Sequence, residues 1–154
     1  MTTIVYSRRD RMLAADSQCG MSNGATGQAT KIWAMGNVAI AVAGYLEEGI
    51  LMKEYFFDLL ADNDCEPPHI EETTGLTVQF GPGKRISAFG MTPKGCMMIP
   101  VEDDFISFGS GSGFAMGALA CGKTAIEAIK IASKFDPHTN SRVLYFNGDK
   151  IRRA

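Results

Sequence analysis

The chain has 154 residues, 45% of them hydrophobic, and a net charge of −2. That length fits one domain with a real core. The near-neutral charge speaks against a polybasic binder of nucleic acid or anionic membrane, and no apolar run approaches the length of a bilayer span. Cys19, Cys65, Cys96 and Cys121 are scattered without a C-x-x-C pair or zinc spacing, and His69 and His138 stand apart from them. They read as reduced thiols in a cytoplasmic protein that uses no metal and no cofactor. Strand-like TTIVY follows Met1 at once, so no signal peptide is expected.

In chain order, Thr3 to Tyr6 and Met12 to Ala15 read as two strands turned by Arg8-Arg9-Asp10. Cys19 to Gln28, rich in Gly, Ser and Asn, reads as a loop. Lys31 to Met35 and Val38 to Ala43 flank Gly36-Asn37, a tight hairpin signal. The second of these is almost wholly apolar, as in a strand covered on both faces. Leu46 to Ala61 predicts a helix with apolar residues on several sides, packed on a sheet and on something else or on a partner chain. Asp62 to Glu72, broken by Pro67-Pro68, predicts a loop. Short strands LTVQF, RISAF, CMMIPV and FISF alternate with Gly-Pro punctuation up to Phe108. Helices are expected around Phe114 to Cys121 and Ala125 to Phe135. A strand over Arg142 to Phe146, a turn at Asn147-Gly148-Asp149 and a short tail close the chain. Strands clustered apart from helices predict an α+β layered domain over residues 1–154, not a parallel βαβ sheet.

Residues 117–124 read GALACGKT, which satisfies the phosphate-loop pattern letter for letter. That motif needs a strand directly before it and an irregular backbone through its glycines. Here the flanking residues are good helix formers, Gly122 suits the position just past a helix end, and Thr124 with Glu127 forms a capping box. The expected local structure is helix, glycine stop, capped helix, with no bound nucleotide. Gly109-Ser110-Gly111-Ser112-Gly113 reads either as a tight strand-to-helix turn or as backbone approaching a ligand, with Ser110 supplying a hydroxyl.

Six stretches in order, TTIV, RMLAADSQ, KIW, IAVAG, ISFGSGSGFAMGA and FDPHTN, together resemble the proteasome β-subunit family. Within it they are similar to the HslV-type threonine peptidases and their short relatives. The resemblance implies the four-layer αββα sandwich of the N-terminal nucleophile (Ntn) hydrolases. It implies Thr2 as nucleophile, Lys31 as active-site lysine, Asp16 as its carboxylate partner and Gly44 as the source of the oxyanion N–H. Ser110 falls beside the terminal amine, and Asp136 and Thr139 support it, Thr139 standing where the family has serine. The family usually has two long helices after the AG motif; here the second is expected to be shortened or missing. That leaves a ring, a spiral or another self-assembly open. An ATP-driven unfoldase partner follows only from the resemblance.

The chemistry asks for the same residue types. A threonine hydroxyl needs a base, and a free α-amino group on the same residue, with an ordinary pKa of ~8, can serve. A nearby ammonium lowers that value. Removal of Met1 is therefore required, and the reaction proceeds through an acyl-enzyme on Thr2. Ala29, Val42, Leu46 and Ile50 are expected to line the primary specificity pocket and to favour an apolar residue before the scissile bond. The expectation is a threonine peptidase acting on peptides or unfolded chains. Its rivals are an inactive structural or assembly protein on the same fold, and an amidohydrolase of small amides.

Overall fold

Two antiparallel sheets stack face to face in the computed structural model, which describes residues 2–92 and 95–154. In spatial order the first sheet contains β10 (Phe105–Gly109), β1 (Thr3–Ser7), β2 (Met12–Asp16), β11 (Val143–Phe146) and β12 (Ile151–Arg153). The second runs β5 (Ile32–Met35), β6 (Val38–Ala43), β7 (Thr74–Gln79), β8 (Arg85–Thr92) and β9 (Gly95–Pro100). Helix α1 (Leu46–Leu60) covers the second sheet; α2 (Ser112–Ala120) and α3 (Ala125–Ala132) cover the first. The layers are therefore α, β, β, α, the four-layer sandwich that the resemblance implies and that the element order allows.

Side-chain alternation explains why both sheets are buried on two faces. On β1, Ile4 and Tyr6 point into the cluster between the sheets, while Val5 joins the cluster under α2 and α3. On β6, Ala39, Ala41 and Ala43 face the other sheet, and Val38, Ile40 and Val42 face α1. Small alanines on the inner face let the sheets approach closely; the branched residues fill the space under the helix.

Helix α1 buries Gly49, Met52 and Phe56, a stripe at helical spacing. Residues 61–73 form no second helix. Fully buried Ile70 comes from that segment into the cluster under α1 instead. The Glu48 carboxylate secures the segment by accepting the N–H groups of Glu71, Glu72 and Thr73 at 2.9 to 3.3 Å.

Three elements depart from the sequence reading. The expected loop over Cys19 to Gln28 contains a small hairpin of β3 (Gln18–Gly20) and β4 (Thr26–Gln28). The expected tail contains β12, paired Leu144 to Arg153. Both are three residues long and carry little hydrophobic alternation, so tertiary pairing decides them. Strand β8 runs to Thr92, beyond RISAF. Cys19, Cys65 and Cys121 are free thiols; the side chain of Cys96, and all of Met1, fall outside the described residues. Among the described residues no helix is long and apolar enough to cross a membrane.

Candidate active site

Strand β1 lies between β10 and β2, with Thr3 opposite Gly109 and Ile4 opposite Ala15. This places Thr2 where the strand enters the sandwich. Asp16, at the far end of β2, is fully buried. Its Oδ1 accepts the Thr3 N–H at 2.9 Å and a hydrogen bond from Lys31 Nζ at 3.4 Å. Its Oδ2 accepts the N–H groups of Gln18 at 2.9 Å and Asn140 at 3.2 Å. One carboxylate thus fixes the start of β1, the exit of β2, the lysine and the 136–142 turn. A buried charge needs this number of partners. Burial pushes the Lys31 ammonium below its usual 10.5, although the facing Asp16 carboxylate pulls it back up.

A second network lies on the other side of β1. Asp136 Oδ2 accepts from the Ser110 hydroxyl at 2.6 Å and from the Thr139 hydroxyl, and Oδ1 accepts the His138 N–H at 3.2 Å. Thr139 Oγ1 also lies 2.6 Å from Thr3 Oγ1. Burial pushes the Asp136 carboxyl up, but the hydroxyls of Ser110 and Thr139 and the His138 N–H outweigh it and hold it below its ordinary value. It is a carboxylate at neutral pH. The structure thus brings Ser110, Asp136 and Thr139 together on one side of the first residues of β1, and Asp16 with Lys31 on the other.

The glycines around Ser110 explain how close this packing is. A Cβ on Gly109 would fall 1.7 Å from the Thr2 carbonyl oxygen, and one on Gly111 would fall 2.2 Å from Thr3 Oγ1. The backbone here approaches the first residues of the chain itself. Gly109 and Gly111 belong to the glycine run read as a tight turn or a close approach; Thr3 and Asn140 lie in the quoted TTIV and FDPHTN stretches, but sequence reasoning assigns neither a role, and the fold supplies it.

Thr2 itself is 1% exposed, and its Oγ1 is buried with no hydrogen-bond partner among the described residues. Gly44 sits between β6 and α1 with φ of +124°, and a Cβ there would fall 2.7 Å from the Glu72 carbonyl oxygen. Beside it opens a pocket of about 530 Å³ lined by Lys31, Val42, Gly44, Leu46, Cys19 and Glu72 among others. Val42 and Leu46 line it. Ala29 lines a different cavity, with Ser17, Arg142 and Arg153. Ile50 is an exposed residue of α1 and does not line the pocket. Ala29 is held just past β4 by its N–H bond to the Ser17 carbonyl at 2.9 Å, and Ile50 falls on the exposed side of α1. Among the described residues no three His, Cys, Asp or Glu side chains lie close enough to hold a metal.

GALACGKT takes the form that its helix formers dictate. Gly122, at φ of +84°, ends α2, and the Thr124–Glu127 capping box starts α3. The Lys123 N–H bonds back to the Ala118 carbonyl. This is helix-terminal geometry, not a phosphate cradle.

With that geometry in place, the comparisons with known proteins can be stated. No family model and no curated protein matches the chain. Two solved structures of Anbu from Hyphomicrobium sp. strain MC1 resemble it. For a mutant form the TM-score is 0.69 at 14% identity, covering 100% of this chain and 86% of the other. For a second crystal form it is 0.68 at 14%, covering 99% and 87%. The chain has a proteasome-like Ntn fold. The resemblance to HslV-type peptidases is corrected by this result: these two structures are of Anbu, and at 14% identity the likeness is one of fold.

Proposed function

We propose that the chain is a threonine peptidase that cleaves peptides or unfolded chains through an acyl-enzyme on Thr2 once Met1 is removed. One observation carries this reading. Thr2 precedes Thr3, which bonds to both networks, and the buried Thr2 hydroxyl lacks a partner among the described residues. A buried unpaired hydroxyl costs about 1–3 kcal/mol, and such groups call for a functional explanation.

The roles follow. The Thr2 amine takes the hydroxyl proton as Oγ1 attacks the carbonyl carbon. Lys31, held by Asp16, lowers the amine's proton affinity. The Gly44 N–H meets the developing oxyanion, a contribution of about 3 kcal/mol. The Ser110–Asp136–Thr139 network orients the amine and relays its proton to the leaving group. Water then hydrolyses the ester. Self-assembly is part of the proposal: α1 leaves Ile50, Leu51, Leu59 and Leu60 exposed, and a second copy is the natural cover.

Intact-mass spectrometry of protein made from its native start codon tests the reading. The expected result is loss of Met1 and one adduct per chain with an electrophile selective for N-terminal threonine. In Thr2→Ala the adduct is absent and peptide turnover falls at least ~10³-fold. Retained Met1 with no adduct would overturn the peptidase and leave the assembly role. Turnover of small amides but not peptides would move the assignment to an amidohydrolase.

A further inference from the structure

The pocket beside Gly44 holds two carboxylates that the proposed chemistry does not use. Glu47, in the first turn of α1, and Glu72, in the segment before β7, both line it and both are exposed. Lys31 is the one cation among the described lining residues, and its charge is matched by Asp16 at 3.4 Å. The positive end of α1 does not reverse the balance: Glu47 and Glu48 occupy its first turn, and Glu48 is engaged with backbone N–H groups. Val42, by contrast, is buried and Leu46 half-buried. The pocket thus joins an apolar wall of Val42 and Leu46 to a rim that carries Glu47 and Glu72 beside exposed Met21 and Tyr45, while the cation on its buried side, Lys31, faces Asp16.

Lysine and arginine side chains have the same division, an apolar stem with a cationic head. About 530 Å³ is ample for either. We infer that this pocket takes a lysine or arginine side chain of the substrate, so that the chain cuts after a cationic residue. The stem lies on Val42 and Leu46, and the head meets Glu47 and Glu72, arginine with the advantage of paired N–H donors. An acidic side chain meets like charge and is excluded. The inference rests on the peptidase reading for the bond that is cut, and it replaces the apolar preference expected from Val42 and Leu46 alone.

Two measurements test it and separate its failure from that of the peptidase reading. In the first, otherwise identical peptide vinyl sulfones ending in Arg, Leu or Asp react with the Met1-free protein, and intact mass follows the adduct. Arg is expected to label about tenfold faster than Leu, with Asp slowest. In a Glu47→Gln, Glu72→Gln double variant the Arg-to-Leu ratio falls to near one. An Arg rate equal to or below the Leu rate overturns the inference and leaves the nucleophile standing. In the second, acetyl-Ala-Ala-Arg-amide and its Leu counterpart are titrated calorimetrically into Thr2→Ala, which does no chemistry. Tighter binding of the Arg peptide, lost in the double variant, supports the pocket even where no vinyl sulfone reacts, a result that would sink only the peptidase reading. Equal binding of the two peptides overturns the inference.

Discussion

The two outer layers of the sandwich are built to different standards. Outside the first sheet, α2 and α3 interlock over Val5, Ala14 and Val143, and buried Ala125, Ala128, Ile129 and Ala132 close the contact. Helix α3 is capped reciprocally by Thr124 and Glu127. Outside the second sheet, α1 stands alone, starts without a side-chain cap, relies on Ile70 from a loop, and leaves four large apolar residues exposed. The closed layer carries the Ser110–Asp136–Thr139 network; the open layer borders the pocket. Groups that must be held to a fraction of an ångström sit on the well-packed side, and the surface that selects a substrate sits where packing is looser.

Gly109→Ala probes the closed side most severely. The new Cβ would collide with the Thr2 carbonyl at a positive φ of +100°. A loss of about 4 kcal/mol in urea unfolding is expected, together with loss of Thr2 labelling. A stability change below about 1 kcal/mol would mean the start of β1 is not clamped. Next comes a matched pair: Ile129 and Ile70 are both fully buried, one under each layer. Ile129→Ala should cost about 3–4 kcal/mol and Ile70→Ala about 2, because a loop can collapse on the cavity and a helix pair cannot. The reverse order would break the comparison.

The smallest effect sharpens it through pH. Burial pushes the Glu48 carboxyl up, but hydrogen bonds from Thr73 and from the N–H groups of Glu71 and Glu72 win, and it lies below its ordinary 4.5. A depressed folded-state value means that the stability Glu48 contributes is complete above the unfolded value. It is lost as pH falls through the folded one. Wild-type Tm should exceed that of Glu48→Gln at pH 7, and the two should converge towards about pH 3. A gap that persists at acid pH would show that shape, and not charge, secures the segment.

Much of the site was legible because its residues sit in strings with strong local meaning. Asp16 ends an apolar strand, Lys31 begins one, and Ser110 lies in a glycine run that only close packing requires. Asn140 and Thr3 were not legible: each acts by meeting a residue more than ten positions away, Thr3 through Asp16 and Thr139 and Asn140 through Asp16. Glu47 and Glu72 belong to no motif, and only the fold sets them on one pocket. Ala29 and Ile50 show the opposite error, proximity along the chain mistaken for proximity in space.

By itself the sequence determined the longer elements and their order, while the three-residue strands β3, β4 and β12 needed tertiary pairing. Periodicity and capping are local properties, and helix formers through GALACGKT fix helix ends whatever surrounds them. Which ends meet was decided only by tertiary structure. Stacking the sheets through Ala39, Ala41 and Ala43 sets the spacing at which Asp16 reaches Lys31, and seating β1 between β2 and β10 sets Thr3 between Asp16 and Thr139. Long-range contact is a property of the packed whole, and short-range pattern carries no record of it.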